Sequence, residues 1–105
     1  MQKHPEYARC HMNLGSAYGG KLDYDKAIEA FRKAIKIYES NKMQKHPDYA
    51  TCHMNLGIAY GDIGRKDEAI KSLELALNIF EQSVGKEHPY YQKCLENLNN
   101  IEAGK

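Results

Sequence analysis

A block of sequence recurs every 42 residues, and that recurrence decides what this chain can fold into. Residues 1–19 read MQKHPEYARCHMNLGSAYG and residues 43–61 read MQKHPDYATCHMNLGIAYG, identical at 16 of 19 positions. His4-Pro5, His46-Pro47 and His88-Pro89 keep the interval, as do Cys10, Cys52 and Cys94, and Leu14, Leu56 and Leu98. The chain therefore divides into two full units, 1–42 and 43–84, and a half unit, 85–105, which supplies a C-terminal capping helix. Units this short cannot bury their apolar faces alone, so stacked neighbours must supply the core.

Each full unit reads as two helices. Pro5, Pro47 and Pro89 suit the first helical position, where no backbone hydrogen bond is lost. Glu6 or Asp48 then places a negative charge in the first turn. Tyr7, Cys10, Leu14, Ala17 and Tyr18 form one apolar stripe, and Ala8, Met12, Gly15 and Gly19 form a second of small or slender residues. A helix apolar on two faces is sandwiched between neighbours. Mid-helix Gly15 and Gly57 cost about 1 kcal/mol each against alanine, which close helix approach would compensate. Gly19-Gly20 and Gly61 to Gly64 are expected to end these helices. The second helices are expected at about Asp23 to Asn41 and Arg65 to Val84. Their core faces carry Ala27, Ile28, Phe31, Ala34, Ile35 and Tyr38, then Ala69, Ile70, Leu73, Ala76, Leu77 and Phe80.

Leu14-Gly15, Tyr18, Ala27, Phe31 and Ala34 resemble the tetratricopeptide signature L-G-x2-Y…A-x3-F-x2-A. Leu56-Gly57, Tyr60, Ala69, Leu73 and Ala76 resemble it again, with leucine for phenylalanine. Two positions depart: His11 and His53 stand where the family has tryptophan, and Glu39 and Glu81 where it has proline. The 42-residue period and the segment Val84-Gly85-Lys86-Glu87-His88-Pro89 resemble the variant found in kinesin light chains and related arrays. The resemblance implies an all-α solenoid of five helices, a right-handed superhelix whose concave face, lined by first helices, binds a protein or peptide. Carried over by position, the groove residues are Arg9, Met12, Asn13 and Ser16, then Thr51, Met54, Asn55 and Ile58, then Lys93, Glu96, Asn97 and Asn100. The asparagines match positions whose carboxamides hold ligand backbone in the family, an amide being both donor and acceptor. The alternative role for them is tying adjacent helices together. The family's carboxylate clamp fits poorly, because Met12 and Ser16 stand where it needs lysine and asparagine.

Composition excludes several other functions. Lys+Arg of 15 against Asp+Glu of 14 gives a net charge of +1, unlike a nucleic-acid-binding surface. No apolar run approaches the ~20 residues of a membrane span, and the N-terminus does not read as a signal peptide. The three cysteines form no C-x-x-C motif, and a cytoplasmic protein with reduced thiols is expected. Cys10 and His11 point about 100° apart on a helix and cannot chelate one metal together. Each cysteine is expected in the core, each His-Pro histidine at a helix cap, and no cofactor is implied. No catalytic residue set is present, so the chain reads as a binding module and not an enzyme.

The two ends differ. Asn99 and Glu102 replace the Gly15/Gly57 and Tyr18/Tyr60 of the other units, which suits a polar cap. At the other end, the stripe including Tyr7, with Met12, is expected to be exposed and to meet another helix. Self-association through this N-terminal face is therefore the alternative function.

Overall fold

The computed structural model describes residues 3–104. Met1, Gln2 and Lys105, which the sequence assigns to the first and last units, lie outside the described residues. Five α-helices follow one another: α1 Pro5–Gly20, α2 Tyr24–Ser40, α3 Pro47–Asp62, α4 Lys66–Ser83 and α5 Pro89–Glu102. Each helix packs on the next, and α1 also touches α3, as α3 touches α5, whereas α2 and α4 stand apart. The first helices thus make a continuous inner layer and the second helices a splayed outer one, which curves the stack.

The three first helices begin alike. A histidine in extended backbone precedes the proline, and its Nδ1 accepts from the N–H two residues on. His4 accepts from Glu6 at 3.1 Å, His46 from Asp48 at 3.0 Å and His88 from Tyr90 at 3.0 Å. Each bond satisfies one of the donors that a helix N-terminus leaves unpaired. Asp23 caps α2 through the N–H of Lys26 at 3.4 Å.

α1 ends at Gly20 and α3 at Asp62, within the expected glycine segments, but the residue that turns the chain with left-handed backbone is Leu22 in the first unit and Gly64 in the second. The mid-helix glycines do mark close approach. A Cβ on Gly15 would lie 2.7 Å from the Phe31 ring, and one on Gly57 would lie 2.8 Å from Leu73 Cγ.

Burial separates the three copies of the apolar stripe. In α3, Tyr49, Cys52, Leu56 and Ala59 are buried beneath α2, and in α5, Tyr91, Cys94 and Leu98 are buried beneath α4. In α1 the same residue types are exposed: Tyr7 at 57%, Leu14 at 45%, Cys10 and Ala17. The core position expected for Cys10 is therefore corrected, while Cys52 and Cys94 are buried. The cause is plain, since no described helix covers this side of α1. Met12 is corrected too: it is half-buried against the first core cluster, on the side of α1 that meets α2.

Candidate functional site

Ser16 from α1 and Asn55 and Ile58 from α3 converge on one cleft of about 220 Å³. Its α1 wall is completed by Gly15 and Gly19, its floor by Ala27 and Phe31 of α2, and its rim by Tyr24 and Asp62. Glycine shapes the cleft physically: at Gly19 nothing lies within 4 Å of where a Cβ would sit, so the space stays open. Asn55 is half-buried at its edge, and neither Asn13 nor Asn55 has a side-chain hydrogen-bond partner among the described residues. Both carboxamides remain available, with donor and acceptor intact.

Other positions expected in the groove are tied up or placed elsewhere. The Asn97 amide donates to its own helix at Lys93 O, 2.9 Å away, and Thr51 Oγ1 donates to Pro47 O at 3.0 Å. Both bonds stay within a single helix, so they engage these side chains without tying adjacent helices together. Arg9 is exposed and pairs with Glu6 at 3.4 Å. Lys93, Glu96 and Asn100 gather in a separate shallow surface depression on α5 with Gln92, Leu95 and Asn99.

Met54 requires a correction. It is 3% exposed and sits in the second core cluster with Leu73, Phe80 and Tyr91. One residue along a helix turns a side chain by about 100°. That step separates Asn55, at the cleft, from Met54, under α4 and α5. Glu96 stands at the same place in α5, where no described helix covers it, and it is exposed.

Tyr24 and Asp62 line the cleft but were absent from the sequence-derived set. Asp62 follows Ile58 by four residues on α3, so extending that face by one turn would have found it. It forms no ion pair among the described residues and puts an uncompensated carboxylate at the rim. The cleft combines apolar walls with the Asn55 amide, the Ser16 hydroxyl and one acid, Asp62, an arrangement of apolar surface and few polar groups common to binding clefts.

Models of the tetratricopeptide repeat match residues 8–41 and 50–90, which together make up most of the chain. The protein belongs to the tetratricopeptide repeat family, whose members are generally protein-interaction modules. Among solved structures, BtubC (BKLC) from P. vanneervenii superposes with a TM-score of 0.91 at 22% identity, over 99% of this chain and 42% of that one. The apo form of RapI superposes with a TM-score of 0.83 at 32% identity, over 97% of this chain and 37% of that one. The chain thus spans about two fifths of the length of these proteins. No match is found among curated proteins. No helix of the described residues is long and apolar enough to cross a membrane.

Proposed function

We propose that the inner face of α1, α3 and α5 binds an extended segment of a partner protein, with the α1–α3 cleft as its principal anchor. The observation that carries this reading is the convergence of Ser16, Asn55 and Ile58 on one open cleft; Asn13, one helical turn before Ser16 on α1, is exposed. An extended peptide presents an N–H and a C=O at each residue, and the two amides can pair with both. Ile58, Phe31 and Ala59 accept one apolar side chain, and Asp62 favours a basic or amide-bearing residue next to it. Beyond the cleft, exposed Arg9 on α1 and Lys93 and Asn100 in the separate α5 depression contact the flanking peptide. The module acts as an adaptor in this reading, and a soluble cytoplasmic setting suits it.

A peptide-array selection against the intact chain supplies ligands for the test. Asn55→Ala and Ile58→Asp should each weaken the selected peptide about tenfold or more, one lost buried polar or apolar anchor being worth about 1.4 kcal/mol or more. Their helical circular dichroism should match the parent. Unchanged affinity in both variants would remove the cleft from the account.

A further inference from the structure

The gap between α2 and α4 is a second cleft, on the outer layer and of about 490 Å³. Its floor is Tyr60, Leu56 and His53, successive turns of α3. That floor is apolar, because the Tyr60 hydroxyl is occupied by Arg32 and both His53 ring nitrogens are enclosed. Its walls are charged. Arg32 and Lys36 stand on the α2 side and Lys71 on the α4 side.

The charges in this cleft do not cancel. Glu68 lines it too, but Arg65 holds that carboxylate through two nitrogens. Three cations then face one acid, Glu39, which already accepts from the Tyr49 hydroxyl at 2.7 Å. Lys36 and Lys71 form neither an ion pair nor a side-chain hydrogen bond among the described residues. Lys26 and Lys33 on the same α2, by contrast, pair with neighbouring acids at 3.9 Å and 3.5 Å. Arg32 donates to the Tyr60 hydroxyl and lies 5.7 Å from that ring's centroid. A guanidinium has several N–H donors, so this bond positions Arg32 and leaves others free for a ligand.

The cations are not part of the repeat. At the 42-residue interval Glu74 stands for Arg32, Asn78 for Lys36 and Glu29 for Lys71. The basic character therefore belongs to this one cleft, where two units that are otherwise closely matched diverge.

We propose that the outer cleft binds an acidic segment of a partner protein, extended, with acidic and apolar residues alternating. Side chains of an extended chain point alternately to opposite sides. Its apolar residues can rest on Leu56 and Ile35 while the acids between them reach Lys36, Lys71 and Arg32. The cations come from both walls, and Arg32 and Lys36 are spaced about 6 Å along α2. That spread suits carboxylates repeated along a chain better than one small anion. Charge complementarity of this kind selects the partner and speeds its arrival. The two clefts share no lining residue, so this proposal and the inner-face reading stand or fall separately.

The probe is a fluorescein-labelled, capped Glu-Leu-Glu-Leu-Glu peptide, titrated with the intact chain to about 1 mM and read by anisotropy. Saturable binding is expected, weakening about threefold or more between about 50 and 150 mM salt. The Lys36→Glu, Lys71→Glu double variant should weaken it about tenfold or more, and the milder pair Lys36→Gln, Lys71→Gln about threefold. Both lysines are exposed, so helical circular dichroism should match the parent. A Lys21→Glu, Lys86→Glu control makes the same change in net charge outside the cleft and should leave affinity within about twofold. Asn55→Ala should leave it unchanged.

No saturable binding to 1 mM overturns the proposal. An equal loss in the Lys21, Lys86 control overturns it too, since overall charge would then be the cause. Loss in Asn55→Ala without loss in the Lys36, Lys71 variants moves the peptide to the inner cleft and overturns it. A ten-thymidine oligonucleotide that binds more tightly than the peptide, and loses affinity in the same variants, overturns it in favour of nucleic acid.

Discussion

Leu22 and Gly64 hold the same place in the two interhelix turns and share a left-handed backbone, with φ of 63° and 84°. Glycine adopts that conformation freely, whereas a side chain there costs roughly 1–2 kcal/mol. Leu22 recovers little by packing, being 71% exposed. Leu22→Gly should therefore stabilise the protein by about 0.5–1 kcal/mol, after the extra freedom of glycine in the unfolded chain is subtracted. Urea denaturation measures it, and a lower midpoint in the variant would contradict the account.

The opposite outcome is expected at Gly57. Alanine there gains about 1 kcal/mol in helix propensity. Its Cβ would, however, meet Leu73 Cγ at 2.8 Å and the Ala69 carbonyl oxygen at 3.1 Å. The side chain can shift, but the backbone oxygen cannot without moving α4 away from α3. Overpacking of this kind costs about 1–3 kcal/mol, so Gly57→Ala should be net destabilising. A stabilised variant would show that α3 and α4 slide apart freely.

Met54 and Asn55 are neighbours in sequence with opposite duties. Met54→Ala should lower stability by about 2–5 kcal/mol by leaving a cavity among Leu73, Phe80 and Tyr91. Asn55→Ala should change stability by less than about 0.5 kcal/mol, because its side chain is not bonded within the fold. Thermal unfolding of the two variants side by side tests this. Comparable melting temperatures would mean the methionine is not a core residue.

The thiols should divide into one and two. Burial pushes Cys52 up to about 12, with Asp48 adding to it, and burial likewise pushes Cys94 up to about 12. Cys94 Sγ also donates to Leu73 O at 3.3 Å, deep in the core. The thiolate is the reactive form. One thiol per native chain, Cys10, should react quickly with a disulfide reagent at neutral pH, and all three only after denaturation. Two fast thiols would place the second unit's stripe in solvent.

His53 should make stability depend on pH below neutrality. Burial lowers its affinity for a proton relative to the usual 6.5, with Glu39 pulling the other way. Both ring nitrogens are enclosed without a hydrogen-bond partner among the described residues. Below pH 6.5 the unfolded chain then binds a proton that the folded chain resists. Stability is full above 6.5, falls as pH drops towards the depressed folded value, and levels off beneath it. His11 shifts the same way, through burial first and then Lys33 and Lys3, from a far more open position. His53→Leu should flatten most of the slope and His11→Leu less of it, read from urea midpoints across that range. An unaltered slope in His53→Leu would exclude it as the source.

The helices, their proline starts and their histidine caps were legible in the sequence because they depend on residues within one turn of each other. The core faces of α2 and α4 were legible for the same reason, as periodic runs from Ala27 to Tyr38 and from Ala69 to Phe80. What the repeat concealed is which copy of a surface is covered. Cys10 and Cys52 sit in matching sequence, yet only one has a helix over it, and that is a fact about neighbours in space. Met54 failed as a groove residue on the same ground, since its direction has meaning only once α4 and α5 are in place. Leu22 hid because the equivalent glycine advertises the turn in one unit only. Ser16 and Ile58 hold equivalent positions 42 residues apart, and Asn55 lies one turn before Ile58 on α3, which is why three of the expected positions line one cleft.

The unequal sides of α1 and α5 give the molecule a direction. The flank of α5 that α4 leaves open carries Gln92, Lys93, Glu96, Asn99 and Asn100 around the single apolar Leu95, a mostly polar surface that holds water well. Among the described residues the two flanks therefore speak different chemical languages, apolar along the outer side of α1 and polar along the open side of α5. A contact made at one flank rests on apolar burial, and a contact made at the other on hydrogen bonding.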